Sequence, residues 1–282
     1  MGLPFVCYCQ NGTLSVQHIE TDSTNELTVM KYSIYGGAGW GNNLIYLGST
    51  ISHDLPYYSA LLTLGLKDGL NISTTVSHLS KTYPYVAFYS LSGRYAHTVN
   101  SWFDYSADIS GFITPRSLQE SLFSNFALLN LTTGYDWKLL YTKLTFSDMY
   151  SRGNGVYLEI INSHYFETSR FFKGKALLSF DPDVKLLFGR LVKVESSTGT
   201  STLGNAPLFV QLKKKHNTTT TTNTYSYIFG MMHTEFSLPV TLNFTNFILV
   251  AEPSYILPAY SNPDYPSPKG FSVTMSVYFR IL

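Results

Sequence analysis

The residue types that could do chemistry in this chain are few, and their spacing supports little of it. Asp104 and Asp108 are the nearest approach to an acid and base pair. Nothing in the sequence sets them on opposite sides of a substrate, as general acid–base work requires, and a hydrated loop accounts for them. Asp181 and Asp183 flank Pro182. That triplet reads as a turn, since calcium would need several more oxygen donors nearby. The seven histidines stand at positions 18, 53, 78, 97, 164, 216 and 233, never at the close spacing of a zinc pair. Cys7 and Cys9 are the only cysteines, too few for a disulfide framework or a four-ligand metal site, and they read as two buried thiols on one strand face. There is no G-x-S-x-G and no H-E-x-x-H. The expectation is therefore of a protein that is not an enzyme, with no catalytic residues, no metal and no cofactor.

Two further clusters bear on binding. Lys213, Lys214 and Lys215, followed by His216, form the compact basic run of the chain and could touch a phosphate backbone without reading sequence. A formal charge of +1 argues against a dedicated nucleic-acid protein. Gly36, Gly37, Gly39 and Gly41 lack the Lys-Ser/Thr ending of a phosphate loop, so the cluster reads as a tight or mobile connection between strands. Trp40, Trp102 and Trp137 could stack on sugars or on a protein partner.

The elements that must carry these residues are strands. With 22 Tyr, 19 Phe and 3 Trp the aromatic residues outnumber the 37 charged ones, 19 basic and 18 acidic. Such a chain is too apolar for disorder and too rich in strand formers for a helical protein. Alternating or apolar runs recur at 60–66, 70–76, 83–91, 137–146, 155–161, 175–180, 185–194 and 208–212, with Asp68-Gly69 as a hairpin turn between the first two. The cleanest alternation is at the end of the chain. Phe271, Val273, Met275, Val277, Phe279 and Ile281 share one face, and Ser272, Thr274, Ser276, Tyr278 and Arg280 share the other. The apolar set is expected to enter a core. One helix is predicted at about 115–129, capped by Thr114, started by Pro115 and striped by Leu118, Leu122, Phe126 and Leu129.

These elements predict an all-β fold: an antiparallel β-sandwich of the jelly-roll kind with that one accessory α-helix, in a single domain over 1–282. Long surface loops are expected at about 196–205, 217–224 and 252–269. No apolar run approaches the length of a transmembrane helix, and no basic leader precedes Leu3 to Cys9, so neither a membrane span nor a signal peptide is expected. Five glycosylation sequons, at Asn11, Asn71, Asn130, Asn217 and Asn243, carry little weight in so hydroxyl-rich a chain. Tyr255, Tyr260 and Tyr265 lie among prolines with no core to enter, and with Trp40 they are the expected interface residues. The functional expectation that follows is a self-assembling structural subunit, such as a viral capsid, coat or appendage protein located in a virion, or alternatively cytoplasmic or extracellular, with copies of itself or other structural subunits as partners. The alternative is a carbohydrate- or receptor-binding β module, and a hydrolase or isomerase comes third.

Overall fold

A computed structural model describes residues 7–10, 13–16, 32–66, 69–119, 122–151, 155–172, 174–196, 199–203, 224–260 and 268–282. Its strands in chain order are β1 (Cys7–Gln10), β2 (Thr13–Val16), β3 (Tyr32–Gly41), β4 (Ile45–Tyr46), β5 (Ser49–Thr50), β6 (Tyr57–Leu66) and β7 (Leu70–Leu79). There follow β8 (Phe88–Asn100), β9 (Phe103–Ile113), β10 (Phe126–Asp136), β11 (Tyr141–Tyr150), β12 (Gly155–Ser163), β13 (Phe166–Glu167) and β14 (Ala176–Phe180). The last are β15 (Asp183–Ser196), β16 (Gly199–Leu203), β17 (Thr224–Ser237), β18 (Val240–Phe244), β19 (Phe247–Pro258) and β20 (Gly270–Arg280).

Antiparallel pairing runs unbroken through β3, β6, β7, β8, β9, β10, β11, β12, β15, β17, β19 and β20, and β20 pairs back onto β3. The sheet is thus a closed barrel of twelve strands. This corrects the expected β-sandwich: a jelly roll has two facing sheets with edges, whereas every strand of this ring has a neighbour on both sides. The strands are between 9 and 14 residues long.

An even strand count brings the two ends of the ring to one rim. Ile34 and Leu282 meet there, the Ile34 amide donating to the Leu282 carbonyl at 3.1 Å. Tight turns share this terminal rim. Gly69 takes φ +83 between β6 and β7, the Asn100 side chain accepts from the Trp102 amide, and that of Asp136 accepts from the Lys138 amide. The chain over 164–182, with β13 and β14, and the strand β18 extend the wall here. The strand ends that meet at the opposite, loop rim are those that flank 42–56, 80–87, 114–125, 151–154, 197–223 and 259–269.

The predicted helix at 115–129 is not formed. A single 3-10 turn, Arg116–Leu118, follows Pro115, and β10 begins at Phe126. Leu118 and Leu122 reach from a loop to the barrel mouth that Phe126 lines from β10, while Leu129, the fourth residue of the stripe, is on the outer face of β10 opposite Ile109. The glycine cluster is likewise no connection: Gly36, Gly37, Gly39 and Gly41 lie within β3.

Candidate functional site: the barrel lumen

Alternation along each strand sorts the side chains into two sets, and β20 shows which set goes where. Phe271, Met275 and Phe279 are 64%, 51% and 49% exposed, while Ser272 and Tyr278 are 6% and 5% exposed. The apolar face of this strand points out of the barrel and the hydroxyl face points in. That reverses the expectation that Phe271 and Phe279 enter a core.

The same sorting holds around the ring. Leu62, Ile72, Leu91, Ile109, Leu131, Phe146, Phe229 and Leu249 are exposed on the outer wall. Among the described residues of the twelve ring strands, the Asp, Glu, Lys and Arg side chains of that wall are Asp148 and Arg190, both toward the loop rim, and the histidines are His78 and His97 near its two ends. Rings gather at the two ends of the outer surface. Trp102, Phe103, Tyr135 and Trp137 form a chain of contacts at the terminal rim, and Tyr58, His78 and Tyr85 stack at the loop rim.

The inner wall is built from Ser, Thr, Gly and ionisable residues. Thr63 and Ser73 share a buried hydrogen bond at 2.9 Å, and Ser77, Ser106, Ser110, Ser147, Ser254 and Ser272 are buried on the same face. Tyrosines lie flat over inward glycines. A Cβ on Gly37 would stand 2.6 Å from the Tyr278 ring, and one on Gly189 would stand 2.5 Å from the Tyr157 ring. The absence of side chains at these positions lets the rings lie against the wall, so the glycine cluster of β3 serves close packing.

Two charged clusters line the lumen. On β8 to β12, Arg94 donates to Ser106 Oγ at 3.2 Å and stands opposite Asp108 across the β8–β9 pair. Asp108 accepts from Asn130 at 2.6 Å and from Ser110 at 3.1 Å, and Tyr141 donates to Asp104 at 2.8 Å. Lys143 and Glu159 belong to the same inward face. On β15, β17 and β19, the Lys185 ammonium bonds Glu252 at 2.7 Å and pairs with Glu235 at 3.5 Å. Asp183 points inward one turn of the pleat from Lys185, with Asp181 buried at the bend that enters β15. The Oδ1 atoms of Asp181 and Asp183 have no hydrogen-bond partner. Apart from Asp136 and Arg280, which are exposed at the terminal rim, the Asp, Glu, Lys and Arg side chains described in the lumen are seven carboxylates (Asp104, Asp108, Glu159, Asp181, Asp183, Glu235, Glu252) and three bases (Arg94, Lys143, Lys185).

Toward the loop rim the lumen is plugged. The segment 42–56 folds inward through the short β4–β5 hairpin, burying Tyr46 and Ile51 against Phe88, Phe112, Phe126, Leu187 and Met232. Asn43 ties this hairpin together, accepting from Thr50 at 2.7 Å and Ser52 at 2.9 Å and donating to Asp54. Asn42 anchors its base to β20, accepting from the Val273 amide at 2.9 Å. Burial, with Asp108 and Glu159 nearby, raises the Tyr46 phenol above its ordinary range, so it stays neutral inside the plug. A cavity of about 160 Å³ remains between the plug and the wall, bordered by Glu159, Lys185, His233, Glu235, Glu252 and Ser272.

No family model matches this chain, and no curated protein matches it. Among solved structures it is similar to a KdgM porin in complex with disordered oligogalacturonate, with 10% identity, a TM-score of 0.46, and 88% of this chain and 98% of that one covered. LpxR from Salmonella typhimurium gives 7% identity and a TM-score of 0.45 over 87% of this chain and 99% of that one. An outer membrane channel from Pseudomonas putida F1 gives 10% identity and a TM-score of 0.42 over 93% and 100%. The fold stated above rests on the strand pairing itself.

Closure and polarity together correct the functional expectation. A capsid, coat or appendage subunit in a virion was expected to bury its apolar strand faces in a sandwich core, and here those faces form the outside of a closed ring. The expectation of no membrane span falls with it, because a run-length test sees only helices and a strand needs just every second residue apolar. No helix among the described residues is long and apolar enough to cross a membrane, which does not bear on a barrel.

The expected interface residues separate. Trp40 and Tyr255 are on the outer wall, on β3 and β19, while Tyr260 packs against the plug cluster. Tyr265 and Lys213, Lys214 and Lys215 lie outside the described residues, as does most of 217–224. Glu252 to Pro258 belong to β19, and 199–203 form β16 paired with β15. Trp102 and Trp137 sit among the exposed rim rings and do not border the cavity between plug and wall. The residues that sequence reasoning missed are Arg94, Lys185, Glu235 and Glu252. Their signal was a charged residue in phase with Ser and Thr inside a strand, which in a soluble sheet marks only the water face.

Proposed function

We propose that this chain is an integral membrane β-barrel of the outer-membrane type that forms a plugged pore for small polar solutes, and that it is a passage and not a catalyst. The observation that carries the reading is the inverted polarity of a closed ring: apolar side chains cover the outside and hydroxyl and charged ones fill the inside. In water such a wall would expose a continuous apolar belt, far beyond the patches that monomeric soluble proteins tolerate. In hydrocarbon it satisfies every requirement, since closure pairs the backbone groups and the belt meets acyl chains. Strand lengths of 9 to 14 residues match the roughly 9–11 needed to cross a bilayer at a tilt. Rings at both rims suit the two membrane interfaces. Three tight turns, after β6, β8 and β10, at one rim and the inward-folded 42–56 segment at the other suit the periplasmic and extracellular sides of such barrels.

The test is reconstitution of the full chain into planar bilayers. Discrete conductance steps that increase in frequency when Tyr46→Ala and Ile51→Ala loosen the plug support the reading. Protein shown to be inserted in the bilayer that conducts in neither form would refute the pore.

A further inference from the structure

Resting on that reading, we infer that the pore selects small cations over anions, and that Asp181 and Asp183 on the inner wall are the residues that set the preference. Away from the exposed rim, carboxylates in the lumen outnumber Lys and Arg by seven to three. A low-dielectric wall focuses the field of such an excess along the axis, which concentrates counter-ions of the opposite sign. Arg94 and Lys143 stand with Asp104, Asp108 and Glu159, Lys185 stands with Glu235, Glu252 and Asp183, and Asp181 lies between the two groups, near both Lys143 and Asp183.

The four carboxylates around and beside Lys185 have different duties. Glu235 and Glu252 are occupied by the Lys185 ammonium, at 3.5 and 2.7 Å. Asp181 and Asp183 are 7% and 6% exposed, and each keeps an Oδ1 without any hydrogen-bond partner. A buried carboxylate oxygen left unpaired is costly to a fold, so its presence points to a partner that comes and goes. A dehydrating cation supplies that partner. The pair also stands toward the terminal rim, below the apolar plug, where the lumen is polar and an ion keeps water at hand.

The experiment is the reversal potential of the full chain in a bilayer under a tenfold KCl gradient, for the native sequence and for Asp181→Asn with Asp183→Asn. The double variant keeps side-chain shape and breaks no hydrogen bond at the two Oδ1 atoms. The native pore should pass K⁺ several-fold better than Cl⁻, and the variant should conduct with that ratio reduced at least twofold. A conducting native pore that prefers Cl⁻, or a variant with unchanged selectivity, overturns the inference and leaves the pore standing. Absence of conductance from inserted protein, native and plug-loosened alike, overturns the pore and the inference together.

Discussion

The two faces of the barrel wall are made from the same strands, residue by residue in alternation, yet they live in opposite solvents. On β9, Ile109 is 61% exposed on the outside while Ser110 beside it is 5% exposed on the inside. In a soluble protein these figures would describe a misfolded sheet. Here they teach that alternation specifies which residues share a face, while closure of the ring decides which face meets which medium. A twofold repeat is satisfied equally by a sandwich strand with its apolar side on a core and by a barrel strand with its apolar side on lipid.

The contrast can be broken from the inside first. Lys185→Met should leave Glu235 and Glu252 as buried, uncompensated carboxylates, and loss of one partner from a buried ion pair costs about 3–5 kcal/mol. Denaturant unfolding of the variant in lipid vesicles should show that loss, and Lys185→Met with Glu235→Gln and Glu252→Gln should recover most of it. The outside gives the next largest effect. Leu131→Arg, harmless at an exposed site in water, should cost about 2–4 kcal/mol at mid-bilayer depth. The same variant near either rim, such as Tyr135→Arg, should lose far less, and this depth dependence, followed by urea titration in vesicles, is what a water-facing surface would not produce. At the rims themselves Trp137→Ala should cost only about 0.5–1.5 kcal/mol, the value of its ring contacts with Tyr135.

Most strands were legible from the residues, because the pattern of Val, Ile, Leu, Phe and Tyr against Ser and Thr is a local property. The hairpin of β6 and β7, with Gly69 in its turn, and the alternating strand β20 (Gly270–Arg280) are found where turn chemistry and periodicity place them. Three features were not local. Leu118, Leu122 and Phe126 imitate a helical stripe, but their spacing is set by a loop and a strand that share the barrel mouth. The β3 glycines look like a connection, and Gly37 and Gly41 are explained by the Tyr278 and Tyr57 rings on the two paired strands, β20 and β6, which are far from them in sequence. Asp181-Pro182-Asp183 does bend the chain, yet which way its carboxylates point depends on the register of β15 with β17.

The most direct test of the inverted wall is accessibility along β20. Single cysteines at positions 271 to 277, in a chain whose Cys7 and Cys9 are replaced by serine, would each carry a nitroxide in lipid vesicles. Positions 271, 273, 275 and 277 should relax with lipid-dissolved oxygen and ignore a water-soluble nickel chelate, while 272, 274 and 276 should be screened from oxygen. Nickel accessibility at the odd positions, or oxygen accessibility confined to the even ones, would contradict the account.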